Sequence, residues 1–190
     1  MKPFALALLL LTAAYRPTFA QPATDASEDV VLSDTQEAFD KLKTLAGSWV
    51  GTITTTPAEP SVNGMLVQVS MRVTSRGNAI AHELSLTGLP DHPLTMFYLD
   101  EDRLLATHYC DAGNRPRLVG KVSPDGTTLE FEFLDLSGGE QYGHMHHAVF
   151  TFIDENHHTQ EWTYMMPGDK PMRGRLDLQR INVETEPSGT

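Results

Sequence analysis

Histidines are the residues in this sequence with the clearest chemical potential. The chain has eight of them, and five lie between His144 and His158. A neutral imidazole binds zinc, copper or iron, and histidine also accepts or releases a proton near neutral pH. These rings can act together only where the elements that carry them bring them to one place.

One short helix is predicted ahead of the first strand. Ser33 and Gln36 have the spacing of a capping box. Apolar residues then recur at helical spacing as far as Leu45, and Gly47 supplies a stop. We therefore predict an amphipathic helix over residues 34–45.

The rest of the chain is patterned as strands. Apolar and polar residues alternate through Val67–Val73 and again through Leu129–Phe133, which is typical of a sheet with one apolar face. No helical pattern intervenes, so the fold class is all-β, and strands at this spacing are typical of a barrel or sandwich. We predict an up-and-down antiparallel barrel of about ten strands, with the helix closing one end. The predicted strands are 48–56, 64–75, 79–87, 93–100, 103–110, 117–123, 128–135, 144–153, 158–166 and 172–181.

The connections between these strands fall into two groups. Those after the even-numbered strands are tight polar turns such as Arg76-Gly77-Asn78 and Pro124-Asp125-Gly126. Those after the odd-numbered strands tend to be longer and richer in glycine and proline. Because alternate connections of a meander lie at opposite ends, we predict a closed end of tight turns and an open mouth of looser loops.

The predicted mouth gathers candidate metal ligands. His108 and Cys110 finish the fifth strand, and His144 and His146 begin the eighth. A spacing of two puts each pair on one face of its strand. If both faces point inward, the four side chains His108, Cys110, His144 and His146 form a candidate transition-metal site, although periodicity does not decide between the two faces of either strand.

Two other histidines of the cluster, His157 and His158, fall at the opposite end. Eight or more residues at about 3.3 Å each place them roughly 26 Å from the mouth pair. One metal ion cannot contact both groups. With Asp154 and Glu155 beside them, they are interpreted as part of a solvated turn.

Other residues near the mouth suggest ligand binding. An arginine such as Arg117 pairs a ligand carboxylate in bidentate fashion, Tyr142 lies in a loop over the opening, and Trp162 offers a ring for stacking. The predicted ligand-binding residues are His108, Tyr109, Asn114, Arg117, Tyr142, His144, His146 and Trp162.

Composition excludes several classes of protein. Across 190 residues there are 14 Lys and Arg against 25 Asp and Glu, a formal charge of −11. An acidic chain without a basic run is not expected to bind nucleic acid. A single cysteine, Cys110, excludes an internal disulfide framework and a cysteine-rich zinc site.

The start of the chain has the features of an export signal. Lys2 precedes an apolar stretch over residues 4–14, and Thr18-Phe19-Ala20 places small residues at a cleavage site. No cysteine follows that site, so we expect no membrane anchor after cleavage and a periplasmic or secreted location. The predicted organisation is a signal peptide over 1–20, a flexible linker over 21–32, the barrel domain over 33–182 and a tail over 183–190.

The residues that open the first strand resemble a known signature. Gly47-Ser48-Trp49 resembles the Gly-x-Trp motif of the lipocalin and calycin superfamily, and its continuation to Gly51 is similar to the start of nitrobindin-type ten-stranded barrels. That resemblance implies a ligand-binding barrel. Nitrobindins bind haem through a histidine near the C-terminal end, whereas no histidine follows His158 here.

The wider chain, over about residues 34–181, also resembles a group of uncharacterised bacterial lipocalin-like secreted proteins. That resemblance is carried by Thr107-His108-Tyr109-Cys110, by Asn114-Arg115-Pro116-Arg117 and by His144-Met145-His146-His147. Calycins pack the signature tryptophan against a basic residue of the last strand. The matching residues are Trp49 and Arg180, which the meander independently places at the closed end, so we predict a structural pair.

The leading functional hypothesis is binding of a small apolar or amphipathic molecule inside the barrel, with polar contacts from the mouth residues. The alternatives are a metal- or haem-binding protein that uses the mouth histidines, an exported enzyme that acts on a small substrate, and a filled barrel that serves as an interaction module. No catalytic constellation stands out. The sequence leaves the ligand and the oligomeric state open.

Overall fold

The computed structural model describes residues 34–139 and 141–181. The predicted signal peptide, the linker and the tail all lie outside these residues, as does Ser33 of the predicted capping box. Within the described part of the chain, no helix is long and apolar enough to cross a membrane. The elements are α1 (Asp34–Lys43), β1 (Gly47–Thr56), β2 (Leu66–Thr74), β3 (Ala79–Leu86), β4 (Leu94–Asp100), β5 (Arg103–Tyr109), β6 (Arg115–Val122), β7 (Thr128–Ser137), β8 (His144–Asp154), β9 (His157–Met166) and β10 (Lys170–Arg180), with a 3₁₀ turn at Ser75–Gly77.

The predicted fold class is confirmed. Each strand pairs antiparallel with its neighbour in sequence, and β1 pairs with β10 to close the barrel. The closing register places Trp49 opposite Arg180. Closure leaves no strand edge unpaired around the barrel.

Alternation along the strands decides what faces the interior. In β2 the side chains of Val67, Val69 and Met71 are buried, and the residues between them are exposed. This period-two burial is the physical basis of the alternation in the sequence. The barrel is therefore apolar inside and polar outside along most of its circumference.

The helix packs on the end that carries the tight turns. Ala38, Phe39 and Leu42 form its buried face. Thr35 Oγ1 donates to the carbonyl oxygen of Asp102 in the β4–β5 turn, and Lys41 donates to the carbonyl of Gly126 in the β6–β7 turn. The helix ends at Lys43, two residues before the predicted end, because the residues that follow continue as tighter i→i+3 turns.

Aromatic side chains fill the half of the barrel nearest the helix. The Phe97, Phe131 and Phe150 rings contact one another at centroid distances of 5.1, 5.7 and 5.9 Å. All three side chains are fully buried. Because this half is packed, any internal space must lie toward the other end.

Two glycines permit the packing around Trp49. Gly47 adopts a φ of +137°, and a Cβ there would lie 2.7 Å from Arg180 Nη1. A Cβ at Gly51 would lie 1.7 Å from the carbonyl oxygen of Asp177 on β10. The glycines on either side of the tryptophan are thus required by close approach of β10 and its arginine.

Candidate functional site

A cavity of about 460 Å³ occupies the half of the barrel away from the helix. It opens among the β1–β2, β3–β4, β5–β6 and β7–β8 connections, which contribute Glu59, Asp91, Asp111 and Tyr142 to its lining. This is the mouth predicted from the looser loops. The apolar wall is formed mainly by Ile53, Leu84, Met145, Trp162, Met172 and Leu176.

His108 is the predicted mouth histidine that lines this cavity. It follows Leu104 and Ala106 on the inward face of β5, and its side chain is buried. Its Nδ1 lies 2.8 Å from Thr95 Oγ1 on the neighbouring strand. Within the described residues, Nε2 has no hydrogen-bond partner. Burial lowers the pKa of His108 to about 4, so the ring is neutral at pH 7.

A second cavity histidine, His82, belongs to a buried hydrogen-bond network. Its Nε2 lies 2.9 Å from Gln160 Oε1, and Trp162 Nε1 donates to the same oxygen at 3.0 Å. Because an indole N–H only donates, this contact identifies the acceptor end of the Gln160 amide, and His82 Nε2 must carry a proton. Burial lowers the pKa of His82 to about 4, so the second ring nitrogen is unprotonated at pH 7.

The network continues to the closed end. Gln160 Nε2 donates to His158 Nε2 at 3.0 Å, and the His158 ring meets Trp49 edge to face at a centroid distance of 4.1 Å. His158 is fully buried, and burial lowers its pKa to about 3. The interpretation of His157 and His158 as one solvated turn was therefore wrong for His158, since alternation turns it inward, whereas His157 faces out toward Asp177.

The predicted Trp49–Arg180 pair is present at the closed end. The Arg180 guanidinium carbon lies 4.1 Å from the centroid of the Trp49 ring. Arg180 also donates to the carbonyl oxygens of Thr44, Ala46 and Glu155 at 2.7 to 2.9 Å. Trp49 Nε1 donates to the Leu45 carbonyl at 2.9 Å. The pair ties the last strand to the chain just after the helix, which is a structural role.

The structure does not bring His144 and His146 to the cavity. Counting back by two from the inward Ala148 places both of them on the inward face, but a β-bulge between Met145 and His147 shifts the alternation by one residue. Met145 lines the cavity instead.

The two histidines contact each other and β7 instead. His144 Nε2 lies 3.2 Å from His146 Nδ1. Both rings pack on Phe133, at centroid distances of 4.7 and 5.0 Å. This contact lies beyond Glu132↔His147, where the β7–β8 ladder stops.

Three other predicted ligand-binding residues also lie away from the cavity. Arg117 forms a bidentate ion pair with Asp135 on the outer face, at 2.8 and 2.5 Å, because its inward neighbour is Leu118. Asn114 is buried and donates to the carbonyls of Gly139 and Gly143, so it anchors the β7–β8 loop. Tyr109 is exposed and does not line the cavity.

Four predicted residues do meet at the cavity: His108, Cys110, Tyr142 and Trp162. Burial raises the pKa of the Cys110 thiol, which disfavours the reactive thiolate. Next to it is Tyr164, whose hydroxyl donates to the carbonyl of Tyr142. Burial, together with the neighbouring Cys110, raises the pKa of Tyr164 to about 12.

The four predicted metal ligands are consequently divided between two places. His108 and Cys110 face the cavity, and His144 and His146 contact Phe133. Across residues 34–139 and 141–181, the group of three or more His, Cys, Asp or Glu whose ligating atoms approach within 4.8 Å is Glu130, Glu132 and His147. It lies on the outer face, where His147 Nε2 pairs with Glu130 Oε1 at 2.8 Å.

Sequence reasoning missed His82, Thr95 and Gln160. A signal existed in β3, where His82 shares the strand face of Ile80 and Leu84. A histidine on an apolar face predicts a buried imidazole that needs a partner. That the partner is Gln160, 78 residues further along, follows only from the folded barrel.

Comparison with known proteins gives the fold and no family. No protein-family model matches the chain, and no curated protein sequence matches it. It is similar to the crystal structure of Rv2717c from M. tuberculosis, with a TM-score of 0.54 and 15% identity over 76% of this chain and 98% of that one. It is also similar to a DUF3598-family protein of unknown function from Nostoc punctiforme, with a TM-score of 0.53 and 10% identity, covering 74% of this chain and about half, 49%, of that one. At these identities the similarity shows the barrel fold alone.

Proposed function

We propose that the protein is a lipocalin-like carrier that binds one small, largely apolar molecule inside the barrel. The observation that carries the proposal is the cavity of about 460 Å³ at the mouth, which lies within the size range of small-molecule sites. Its walls are mostly aliphatic, aromatic and thioether side chains. Burial of an apolar ligand against them contributes about 25 cal/mol for each Å² removed from water.

The cavity also offers the few polar groups that orient a ligand. His108 Nε2 is the clearest, because its ring is fixed through Nδ1 by Thr95 and its other nitrogen is left without a protein partner. Export of the protein, as the first 20 residues predict, would place such a carrier in the periplasm or outside the cell.

The test uses N-phenyl-1-naphthylamine, an apolar dye that is uncharged at pH 7 and fluoresces when buried. The full chain is expected to bind one dye molecule saturably. Leu84→Trp, which fills the cavity, should abolish binding, whereas Tyr109→Trp, on the outer face of the same end, should not. Both variants are checked for native circular dichroism. Equal dye binding by Leu84→Trp would place the dye on the surface and contradict the proposal.

A second candidate is a transition metal or haem held by His108. The observation that favours it is again the unpartnered Nε2 of His108. A histidine that binds a metal typically has its other ring nitrogen hydrogen-bonded, and here Nδ1 is hydrogen-bonded to Thr95. This fits one axial ligand of a haem. Of the other predicted ligands, Cys110 lines the same cavity, whereas His144 and His146 do not.

Haemin titration separates the two candidates. If His108 ligates iron, the full chain should give a Soret shift that His108→Ala removes and that Tyr109→Ala retains. Metal analysis of the purified protein tests for a metal ion without haem: His108→Ala should remove any bound metal, and Tyr109→Ala should retain it. Absence of any His108-dependent spectral change or metal content would eliminate this candidate and leave the carrier.

A further inference from the structure

The rim of the cavity is negatively charged. Glu59, Asp91 and Asp111 come from three different connections, and all three line the same opening. No lysine or arginine stands among the described residues that line it. The rim therefore attracts a cation and repels an anion, although exposure to water weakens the effect of each charge.

Below the rim, the unpartnered polar atom of His108 points to a ligand. His108 is only 5% exposed, and it lines the cavity. Its ring is uncharged, so it supplies no positive charge for a carboxylate. When Thr95 Oγ1 accepts the Nδ1 proton, Nε2 presents a lone pair that accepts a hydrogen bond from a ligand.

The stronger donors of the lining are already used within the protein. Trp162 Nε1 and His82 Nε2 both donate to Gln160. The Tyr164 hydroxyl donates to the carbonyl of Tyr142. What remains for a ligand is mainly acceptors, carboxylates and aromatic faces, and the faces of Trp162 and Tyr142 attract cations.

We propose that the cavity selects an amphipathic organic amine, with the apolar body against the Trp162 wall and the ammonium group at the carboxylate rim. This inference rests on the proposed carrier function and narrows its ligand to a chemical class. A fatty acid or other carboxylate of equal size is disfavoured, because the lining gives its head group neither a cation nor a free indole N–H, and the rim carboxylates repel it.

The test compares three probes that share one body: 4-phenylbutylamine, 4-phenylbutan-1-ol and 4-phenylbutanoic acid. Isothermal titration at pH 7 and low salt should rank the amine tightest, about tenfold above the alcohol, with the acid weakest. Added salt should reduce the advantage of the amine and leave the alcohol unchanged, because exposed charges are screened.

Substitutions locate the effect. The combined variant Glu59→Gln, Asp91→Asn and Asp111→Asn should lose most of the tenfold preference for the amine while keeping the affinity for the alcohol. Glu101→Gln, in the β4–β5 turn at the closed end, removes one carboxylate far from the cavity and should change neither. The alcohol also serves as the folding control for the combined variant.

The outcomes separate the two proposals. If the alcohol binds and the acid binds as tightly as the amine, the amine selectivity is overturned and the carrier function stands. If the combined variant still prefers the amine over the alcohol, the rim carboxylates do not cause the selectivity, and that part of the proposal is wrong. If none of the three probes binds, the carrier function itself fails and the selectivity with it.

Discussion

The two ends of this barrel use similar residues for different purposes. At the closed end, the Arg180 guanidinium stacks on the Trp49 ring, and both side chains donate hydrogen bonds to backbone carbonyls just after the helix. His158 packs against the same indole. At the open end, Trp162 and His108 line a cavity, and one nitrogen of the histidine is left without a partner. A tryptophan with histidine can therefore complete a core or present a binding wall. What differs is the space beside the rings, which side chains fill at the closed end and which is left as a cavity at the open end.

The largest expected effect is the pH dependence of the free energy of unfolding, because both ends of the barrel contain neutral, buried histidines. The folded pKa of about 4 for His82 and His108, and of about 3 for His158, lies below the unfolded value of 6.5. The stability that neutral packing contributes is present above pH 6.5 and is lost as pH falls toward 4, because the unfolded chain binds the protons more tightly. We expect the free energy of unfolding to fall by about 3 kcal/mol for each of the three histidines over this window, or on the order of 10 kcal/mol together.

Urea denaturation at a series of pH values between 7 and 4.5 measures that fall. His108→Leu and His158→Leu should each make the slope shallower, since each removes one proton taken up on unfolding. A stability that stays constant across the window would show that the histidines are not buried as described.

At fixed pH, Trp49→Ala should be the most damaging substitution of the closed end. It removes a fully buried indole and leaves Arg180 without its stacking partner, which is expected to cost about 3–5 kcal/mol. Tyr142→Ala, at the exposed rim of the open end, should change stability by no more than about 0.5 kcal/mol while weakening ligand binding. Equal losses of stability in the two variants would remove the distinction between the ends.

Substitution of Gln160 tests the hydrogen-bond network that connects the cavity to the closed end. Gln160→Leu leaves the indole N–H of Trp162 and the rings of His82 and His158 without their partner, so we expect a loss of about 3 kcal/mol. Gln68→Leu, on the outer face of β2, serves as the matched control and should be nearly neutral. If Gln160→Leu is also neutral in urea denaturation, the network contributes nothing to the stability of the barrel.

The smallest effect is expected on the outer face. Arg117→Gln breaks an exposed ion pair with Asp135, which should cost less than about 1 kcal/mol. The affinity for N-phenyl-1-naphthylamine should stay the same, because Arg117 does not line the cavity. A clear loss of dye affinity would indicate that Arg117 belongs to the binding site, as the sequence predicted.

The location of the candidate site was predictable from the sequence, but the set of residues that line it was not. The alternation of β5 correctly indicates that His108 and Cys110 share one face, and the loose loops correctly indicate the mouth. The same reasoning fails on β8, because the bulge after Met145 shifts the alternation and exchanges Met145 for His144 and His146 at the cavity. A bulge depends on how two strands fit together, and the residues around it carry no local pattern that marks it.

The sequence by itself determined the ten strands and the two kinds of connection, because alternation and turn chemistry are local properties of the chain. The pairing of Trp49 with Arg180 was predicted from the resemblance to calycins together with the order of the strands. Only the tertiary structure decided that the half next to the helix is filled, that the other half is hollow, and that His82, Gln160 and His158 form one network. Those features arise where side chains from strands far apart in sequence meet inside a closed barrel. The size of the cavity and the partner of each buried polar group are set by that packing.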